Sequence, residues 1–305
     1  MIVESRREAR RSNAALLATS LRSEQWAKNF LLFAGLLFGG RLLEPDAVLK
    51  AIAAFAVFCA LSSAIYLVND IWDRDADRCH PLKQTRPIAS GEIGVRLAGW
   101  SAAILIAAAT AVAWVLNSVF GAIATGYLLL LLLYSTTLKH IVILDVLAIA
   151  GGFVLRAVAG AVAVTVPIGS WLLVCTTLLA LFLALSKRRH ELVLLGDGAP
   201  HHRRILEQYS PYLLDQMISV VTASTLIAYT VFTLSAETAQ RLGTPFLGFT
   251  VPFVLYGIFR YLYLVHQKRG GGSPAEMLLT DRPLLVCVAL WAGTVVVLMY
   301  SPIGH

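Results

Sequence analysis

Four acidic residues lie within eight positions of the segment Asn69-Asp70-Ile71-Trp72-Asp73-Arg74-Asp75-Ala76-Asp77. If one helix runs through this segment, Asn69, Asp73 and Asp77 share one face, with Asp70 beside them. Stacked carboxylates repel one another unless a cation lies between them, and such oxygen ligands, with room for water and phosphates, are typical of Mg²⁺ sites. The spacing therefore predicts a Mg²⁺ site from which Asp75 points away. The alternative is a solvated helix end with scattered acids.

Two cations follow this acidic segment. Pro81 prevents a helix from continuing in register, and Lys83 and Arg86 come shortly after it. Cations at this distance from a Mg²⁺ site are well placed to bind the remaining oxygens of a diphosphate. The alternative is the ordinary positive charge of a cytoplasmic loop. Together with the acids, these residues indicate chemistry on a diphosphate-bearing substrate.

The composition indicates which elements position these residues. The 305-residue chain is 58% hydrophobic and only 14% charged, with a mean hydropathy of +0.73. Soluble domains have about 25% charged residues, and a soluble protein of this size could not bury so much apolar surface. The formal net charge of +7 could suggest nucleic acid, but the basic residues are divided among loops between apolar stretches. The composition therefore predicts an integral membrane protein that lies in a lipid bilayer and binds no nucleic acid.

Apolar stretches long enough to cross a bilayer recur along the whole chain. They predict an all-α protein with nine transmembrane helices at about residues 28–43, 47–68, 97–115, 118–134, 141–165, 168–186, 212–234, 245–266 and 283–301. Residues 1–27 are expected to form a cytoplasmic N-terminal arm. Residues 28–305 are expected to form a single transmembrane catalytic domain.

The basic residues predict the orientation of these spans. With nine spans, 20 of the 25 Lys and Arg residues fall on the side of the N-terminus, which the positive-inside rule identifies as the cytoplasm. The two longest loops, about 69–96 and 187–211, lie on that side. The polar chemistry is therefore expected at the cytoplasmic face of a multi-pass protein of the cell membrane.

The motif Asn69-Asp70-x-x-Asp73-x-x-x-Asp77 resembles the first acidic motif of the UbiA superfamily of intramembrane prenyltransferases. The resemblance runs nearly from end to end. It is carried by the segments Arg22-Ser-Glu-Gln-Trp26-Ala-Lys28-Asn29, Tyr66-Leu-Val-Asn69-Asp70, Ala76-Asp77-Arg78-x-His80-Pro81, Arg86-Pro87-Ile88-Ala89, Leu138-Lys139-His140, Arg156-Ala157-x-Ala159-Gly160, Lys187-Arg188-x-x-Glu191-Leu192 and Asp281-Arg282. Within the superfamily, the chain most resembles the branch of decaprenyl-phosphate phosphoribosyltransferases.

This resemblance implies a UbiA-like bundle of nine helices around a cavity that opens to the cytoplasm and sideways to lipid. Asp73 and Asp77, assisted by Asn69 and Asp70, would hold Mg²⁺ on the donor diphosphate. Positive charge around the phosphates would come from Lys28, Lys83, Arg86, Lys139, Lys187 and Arg188. The implied reaction is transfer of 5-phosphoribosyl from phosphoribosyl diphosphate to a polyprenyl (decaprenyl) phosphate, for the synthesis of a cell-wall arabinan precursor.

One departure from the wider superfamily favours this branch. Superfamily members that prenylate aromatic rings usually carry a second acidic motif near the sixth span, where this chain has Ser186-Lys187-Arg188-Arg189-His190-Glu191. A cationic segment fits a donor with an additional 5-phosphate and an acceptor that is itself a phosphate. The alternative is that Lys187 to Arg189 anchor the end of the span. Glu191 completes this set of candidate substrate-binding residues.

Three further candidates have two readings each. Arg156 lies within the fifth span, where a lone charge is costly and marks either a buried structural partner or a lipid-phosphate site. Tyr66 and Tyr134 lie near the cytoplasmic ends of their helices, as aromatic-belt residues or as phosphate ligands. The rival functions are a UbiA-type prenyltransferase acting on an aromatic quinone or haem precursor, and a transporter or lipid-binding membrane protein. Transporters concentrate ionisable residues near the bilayer midplane, whereas most charge here lies at one edge.

Overall fold

A computed structural model describes residues 12–79, 83–195, 204–268, 277–278 and 280–300. Every regular element in these ranges is a helix. The α-helices are α1 (Asn13–Ser20), α2 (Phe33–Phe38), α3 (Pro45–Trp72), α4 (Arg74–Arg78), α5 (Pro87–Ser90), α6 (Val95–Leu116), α7 (Ser118–Thr136), α8 (Leu144–Ala163), α9 (Ser170–Leu195), α10 (Pro211–Leu234), α11 (Ala236–Leu242), α12 (Val251–Gln267) and α13 (Arg282–Tyr300). Short 3-10 helices cover Ser23–Leu32, Leu138–His140, Arg204–Gln208 and Phe246–Thr250. The predicted helix stop at Pro81 and the first eleven residues of the N-terminal arm lie outside the described residues.

Eight helices in the described part of the chain are long and apolar enough to cross a membrane. They are Pro45–Trp72, Val95–Leu116, Ser118–Thr136, Leu144–Ala163, Ser170–Leu194, Pro211–Leu234, Phe246–Gln267 and Arg282–Tyr300. Each corresponds to one of the predicted spans, and the bounds differ by a few residues at most ends. The largest difference is at α9, which continues to Leu195. Lys187, Arg188 and Glu191 therefore lie on helical turns and not in the predicted loop 187–211.

The first predicted span, 28–43, is not one long α-helix. The chain forms a 3-10 helix over Ser23–Leu32 and then the six-residue helix α2. The 16 residues of Ser23–Phe38 extend about 29 Å if each residue adds the axial rise of its helix type. That length is close to the roughly 30 Å of a bilayer core. The prediction of nine similar transmembrane helices thus differs from the eight that the described residues contain.

Close backbone contacts seat this first segment on α8. A Cβ atom at Gly160 would lie 2.0 Å from the carbonyl oxygen of Leu32, and one at Gly35 would lie 2.6 Å from the Cα of Ala161. Only glycine permits such an approach, as at small-residue contacts between membrane helices. The contact brings the 3-10 helix, with Lys28 and Asn29, against the helix that carries Arg156.

Apolar side chains fill the interior and also cover the outside of the bundle. Phe58, Leu61, Phe120 and Tyr127 are fully buried where α3 and α7 meet. A second core joins α8, α9, α10 and α12. By contrast, Trp100 on α6 is 71% exposed, as an outward side chain that faces lipid would be.

Candidate active site

The acidic segment keeps one face across a break in the helix. Helix α3 ends at Trp72 and α4 begins at Arg74, so Asp73 lies between them. The N–H of Asp73 donates to the carbonyl of Asn69 (2.8 Å), and the N–H of Asp77 donates to the carbonyl of Asp73 (2.7 Å). These four-residue bonds preserve the helical spacing of Asn69, Asp73 and Asp77. The side chain of Asp75 is 92% exposed and lies 3.8 Å from Arg78, whereas that of Asp77 is buried.

Asp70 and Asp77 converge on one cation, Arg86. Its Nη1 atom lies 3.2 Å from Oδ1 of Asp70 and 2.5 Å from Oδ2 of Asp77. Two more cations complete the pairing, because Arg22 contacts Asp70 at 2.5 Å and Lys83 lies 3.9 Å from Asp77. Both carboxylates are almost fully buried, so this positive charge offsets their desolvation.

Arg22 is a site residue that the sequence analysis missed. It precedes the 3-10 helix with a left-handed backbone (φ 52°), and its guanidinium lies over the ring of Tyr66, 4.8 Å from the centroid. Its contact with Asp70 joins residues 48 positions apart. The only available signal was its place in the segment Arg22–Asn29 on which the family resemblance partly rests.

Asp73 is paired separately from the other acids. Its side chain is half-exposed, and Oδ1 lies 3.7 Å from Nζ of Lys139 in the 3-10 helix Leu138–His140. Tyr134 lies five residues earlier, near the end of α7. The end of α7 and the turn after it therefore adjoin the acidic segment.

The acidic segment has donors suited to a divalent cation. Asp70, Asp73, Asp77 and Asn69 offer only oxygen ligands from their acceptor groups, which is the set that Mg²⁺ prefers. Arg86 lies between the two buried carboxylates, so this part of the segment attracts positive charge. Among the described residues, no three His, Cys, Asp or Glu side chains are grouped closely enough to bind a metal by themselves. The donor chemistry fits Mg²⁺ if substrate oxygens and water complete its coordination.

Arg188 differs most from its predicted place in an open phosphate-binding wall. It is 1% exposed, its Nε atom donates to Oδ2 of Asp145 at 2.7 Å, and its Nη1 atom donates to Glu191. Nη2 donates to the hydroxyl of Tyr134 at 3.3 Å. All three nitrogens are engaged by protein groups, so Arg188 is not available to a phosphate in this arrangement. Lys187 is 42% exposed and lies 3.9 Å from Glu191, so it remains accessible.

Asp145 and Tyr209 complete this second cluster, and neither was a predicted site residue. Asp145 is fully buried, and its Oδ1 accepts a hydrogen bond from the Tyr209 hydroxyl at 2.8 Å. Burial raises the pKa of Tyr209 to about 12. The same hydroxyl oxygen accepts from the N–H of Ile143 at 2.8 Å. Ile143 has a φ of 69°, which is strained for a β-branched residue, so Tyr209 braces the start of α8.

Arg156 lies in a third polar cluster, deep in the bundle. Its Nε donates to Oδ1 of Asn29 at 2.7 Å and its Nη2 to the Tyr127 hydroxyl at 2.5 Å, and the Tyr127 ring also lies beneath its guanidinium. These partners are neutral groups. Lys28 is within electrostatic range of Arg156, Arg22 and Lys187, so the first segment brings cations of distant helices together. Of the two readings of Arg156, the structure shows the buried polar partners, and lipid-phosphate binding stays a prediction.

Residues 29–281 match the UbiA prenyltransferase family. The chain belongs to this family. It is 33% identical over 293 residues to a decaprenyl-phosphate phosphoribosyltransferase of Mycolicibacterium smegmatis, which covers 93% of this chain and 92% of that protein. It is also 33% identical over 287 residues to the protein of that name from Corynebacterium glutamicum, covering 92% and 86% of the two chains. The resemblance inferred from the sequence motifs is therefore confirmed.

A solved structure of this family has the same fold. The structure of a UbiA homolog from Archaeoglobus fulgidus bound to GPP and Mg²⁺ matches with a TM-score of 0.69 and 20% identity, covering 92% of this chain and 98% of that one. At this identity the likeness shows the fold alone. This chain has eight apolar helices in its described residues and belongs to the UbiA family, so it is a multi-pass membrane protein. The names of its relatives support a transferase activity.

Proposed function

We propose that the protein transfers 5-phosphoribosyl from phosphoribosyl diphosphate to a polyprenyl phosphate, with release of diphosphate. The observation that carries this proposal is the similarity over 93% of the chain to a decaprenyl-phosphate phosphoribosyltransferase. The acidic and cationic groups at one end of the bundle support it, because both proposed substrates are anions. By analogy with that relative, we propose decaprenyl phosphate as acceptor and a cell-wall arabinan precursor as product.

The acidic segment is the proposed Mg²⁺ site. Asp73 and Asp77 would bind the metal with help from Asn69 and Asp70. Mg²⁺ bound there would neutralise charge on the departing diphosphate, which makes cleavage of its bond to the sugar easier. The UbiA homolog bound to GPP and Mg²⁺ supports metal use in this fold.

The accessible cations are the proposed phosphate ligands. Lys83, Arg86 and Lys139 contact the acids of the segment and would exchange some of these contacts for diphosphate oxygens. Lys28 and Lys187 lie within electrostatic range of each other, where they would bind a second phosphate group. Tyr66, beneath the Arg22 guanidinium, and Arg156, buried deeper in the bundle, are also proposed to bind substrate. Arg188 is left out of direct phosphate binding because its guanidinium is buried and each of its nitrogens donates to a protein group.

The proposed reaction is a substitution at C1 of the ribose. An oxygen of the acceptor phosphate forms the new bond to C1 while the bond from C1 to the diphosphate oxygen breaks, and the electron pair leaves with the diphosphate. The acceptor oxygen is already anionic, so no general base is needed. The cations around the site would hold the two anions close together, which their mutual repulsion otherwise opposes.

The proposed topology places this site at the cytoplasmic face of the cell membrane. The distribution of basic residues supports that orientation. The segment Ser23–Phe38 is proposed to cross the membrane as well, which brings the eight long helices to nine crossings. Its length of about 29 Å nearly matches the bilayer core. A cavity that opens to the cytoplasm and to lipid would admit a water-soluble donor and a lipid acceptor.

The rival function is transfer of a prenyl group from a prenyl diphosphate to an aromatic acceptor. The UbiA homolog bound to GPP is the observation that favours it. The lack of a second acidic motif in the segment 186–191 counts against it.

An activity assay with purified protein in detergent distinguishes these two functions. With Mg²⁺ and polyprenyl phosphate, we expect labelled phosphoribosyl diphosphate to become a lipid-extractable product, with one diphosphate released per transfer. Chelation of Mg²⁺ should stop the reaction. Consumption of a polyprenyl diphosphate with an aromatic acid, and none of phosphoribosyl diphosphate, would establish the rival.

Lys187 provides a test of the phosphate-binding assignment. Lys187→Ala should raise the apparent KM for phosphoribosyl diphosphate by roughly 10- to 150-fold, the range for loss of one charge-assisted hydrogen bond. The KM for the lipid should change less. Lys50→Ala is the matched control, because Lys50 is an exposed lysine on the far side of the proposed membrane topology. Equal changes in both KM values would contradict a donor-specific role.

A further inference from the structure

Glu191 is an acid on the face of α9 that carries accessible Lys187. Its side chain is 25% exposed, Oε1 lies 3.9 Å from Nζ of Lys187, and Oε2 accepts a hydrogen bond from Arg188. A carboxylate beside a site for anionic substrates repels them at short range. Glu191 offsets the charge of the two cations beside it, so it weakens phosphate binding there unless it contacts a part of the substrate that is not a phosphate.

The position of Glu191 is rigidly determined. Arg188, which donates to it, is buried and donates through its other nitrogens to Asp145 and Tyr134. The planar guanidinium has a fixed arrangement of donors, so its contacts on α7 and α8 also set the direction of the Glu191 contact. Tyr209 holds Asp145 in turn. The carboxylate is thus aimed by a buried network, unlike that of a solvated surface acid.

Glu191 lies at the same end of the bundle as the acidic segment. Tyr134 contacts Arg188, and Lys139, five residues later, contacts Asp73. Lys187, beside Glu191, is within electrostatic range of Lys28. A substrate that spans from the acidic segment to Lys187 would therefore pass close to Glu191.

We propose that Glu191 is a specificity-determining residue that accepts hydrogen bonds from the ribose hydroxyls of the donor. The proposal rests on the proposed function. Hydroxyl groups are neutral hydrogen-bond donors, so a carboxylate binds them without the repulsion that it exerts on phosphates. A prenyl donor has no such hydroxyls and would form none of these hydrogen bonds, so the carboxylate favours the ribosyl donor over it.

The test compares donors with and without each hydroxyl. Full-length protein, Mg²⁺ and polyprenyl phosphate are assayed with phosphoribosyl diphosphate and with its 2-deoxy and 3-deoxy analogues. Glu191→Gln keeps a neutral acceptor and loses the charge, so it should lower kcat/KM for the ribosyl donor by roughly 5- to 13-fold relative to the unmodified protein. For at least one deoxy donor, the two proteins should agree within about threefold, because the lost contact was absent already. The variant and the unmodified protein are compared with the same donor each time, so differences in intrinsic reactivity between the donors do not affect the ratio of their kcat/KM values.

Glu92→Gln is the matched control. Glu92 is an exposed acid before α6, and its replacement should leave every donor unchanged. Lipid KM is measured for both variants, and it should stay constant if Glu191→Gln preserves the fold. Equal losses with ribosyl and both deoxy donors, or no loss with any donor, would overturn the role of Glu191. Failure of the unmodified protein to use phosphoribosyl diphosphate would overturn the proposed function and this inference with it.

Discussion

Asp145→Asn tests whether the buried pair of Asp145 and Arg188 stabilises the bundle. Both side chains are at most 1% exposed, and Nε to Oδ2 is 2.7 Å. Removal of one partner of a buried ion pair costs about 3–5 kcal/mol because the other charge is left uncompensated. Glu191 still contacts Arg188 in the variant, so we expect the lower end, about 3 kcal/mol. At about 2–4 °C per kcal/mol, the midpoint of thermal unfolding should fall by roughly 6–12 °C.

Buried cysteines provide the assay for this prediction. Cys59 and Cys287 are buried, so a thiol-reactive dye labels them only when the bundle opens. Exposed Cys79 is replaced by Ser and half-buried Cys175 by Ala to remove background labelling. The control is Asp75→Asn, which makes the same chemical change in a side chain that is 92% exposed. An exposed pair of this kind is worth less than about 1 kcal/mol.

A double substitution separates loss of charge pairing from loss of shape. Asp145→Leu with Arg188→Met removes both charges, and apolar replacement of a buried pair is often neutral. The double variant should therefore unfold at a higher temperature than Asp145→Asn. If the unfolding temperature of Asp145→Asn is no lower than that of Asp75→Asn, the pair of Asp145 and Arg188 does not stabilise the bundle and the reasoning is refuted.

Three further predictions concern the site, the topology and the brace at Tyr209. Asp77→Asn should lower turnover roughly 100-fold or more while Asp75→Asn stays within about threefold; equal sensitivity of the two would contradict the helical register. A reporter fused after His305 should be active only outside the cytoplasm, and a cytoplasmic signal would mean that Ser23–Phe38 does not cross the membrane. Because the pKa of folded Tyr209 is raised to about 12, unfolding should become easier from about pH 10, where the unfolded phenol ionises, up to about pH 12. Tyr209→Phe should reduce this pH dependence when thermal unfolding is followed by dye labelling, whereas Tyr212→Phe, at an exposed tyrosine, should not. An unchanged pH profile for Tyr209→Phe would contradict the stabilising role of Tyr209.

The main features that the sequence predicts are those that depend on residues close together along the chain. Apolar stretches of bilayer length predict the eight long helices, because an unpaired backbone is costly in lipid and a helix satisfies it locally. Four-residue spacing likewise predicts that Asp77 and Asp75 differ in exposure, as the structure shows. The motifs also identify the family. The metal and substrate roles of the named residues remain predictions.

The first segment shows where local pattern is insufficient. Its apolar composition predicts a crossing at 28–43, but the 3-10 geometry of Ser23–Leu32 does not follow from hydropathy. The contact of Gly160 with the Leu32 carbonyl shows that the geometry is linked to packing against α8. Such a contact depends on two segments more than 100 residues apart in the sequence.

The partners of the charged side chains were decided by the tertiary structure. The sequence predicts that Lys187 and Arg188 form one cationic wall, yet Lys187 is accessible while Arg188 is buried against Asp145, 43 residues away. Arg22 reaches Asp70 and Arg156 reaches Asn29 over still longer separations. Burial of a charge is tolerable only with a suitable partner, and the packing of helix ends determines which partner is within reach. Sequence alone therefore determined the membrane fold, the family and the acidic motif, and the packed bundle determined which cations remain accessible for a substrate.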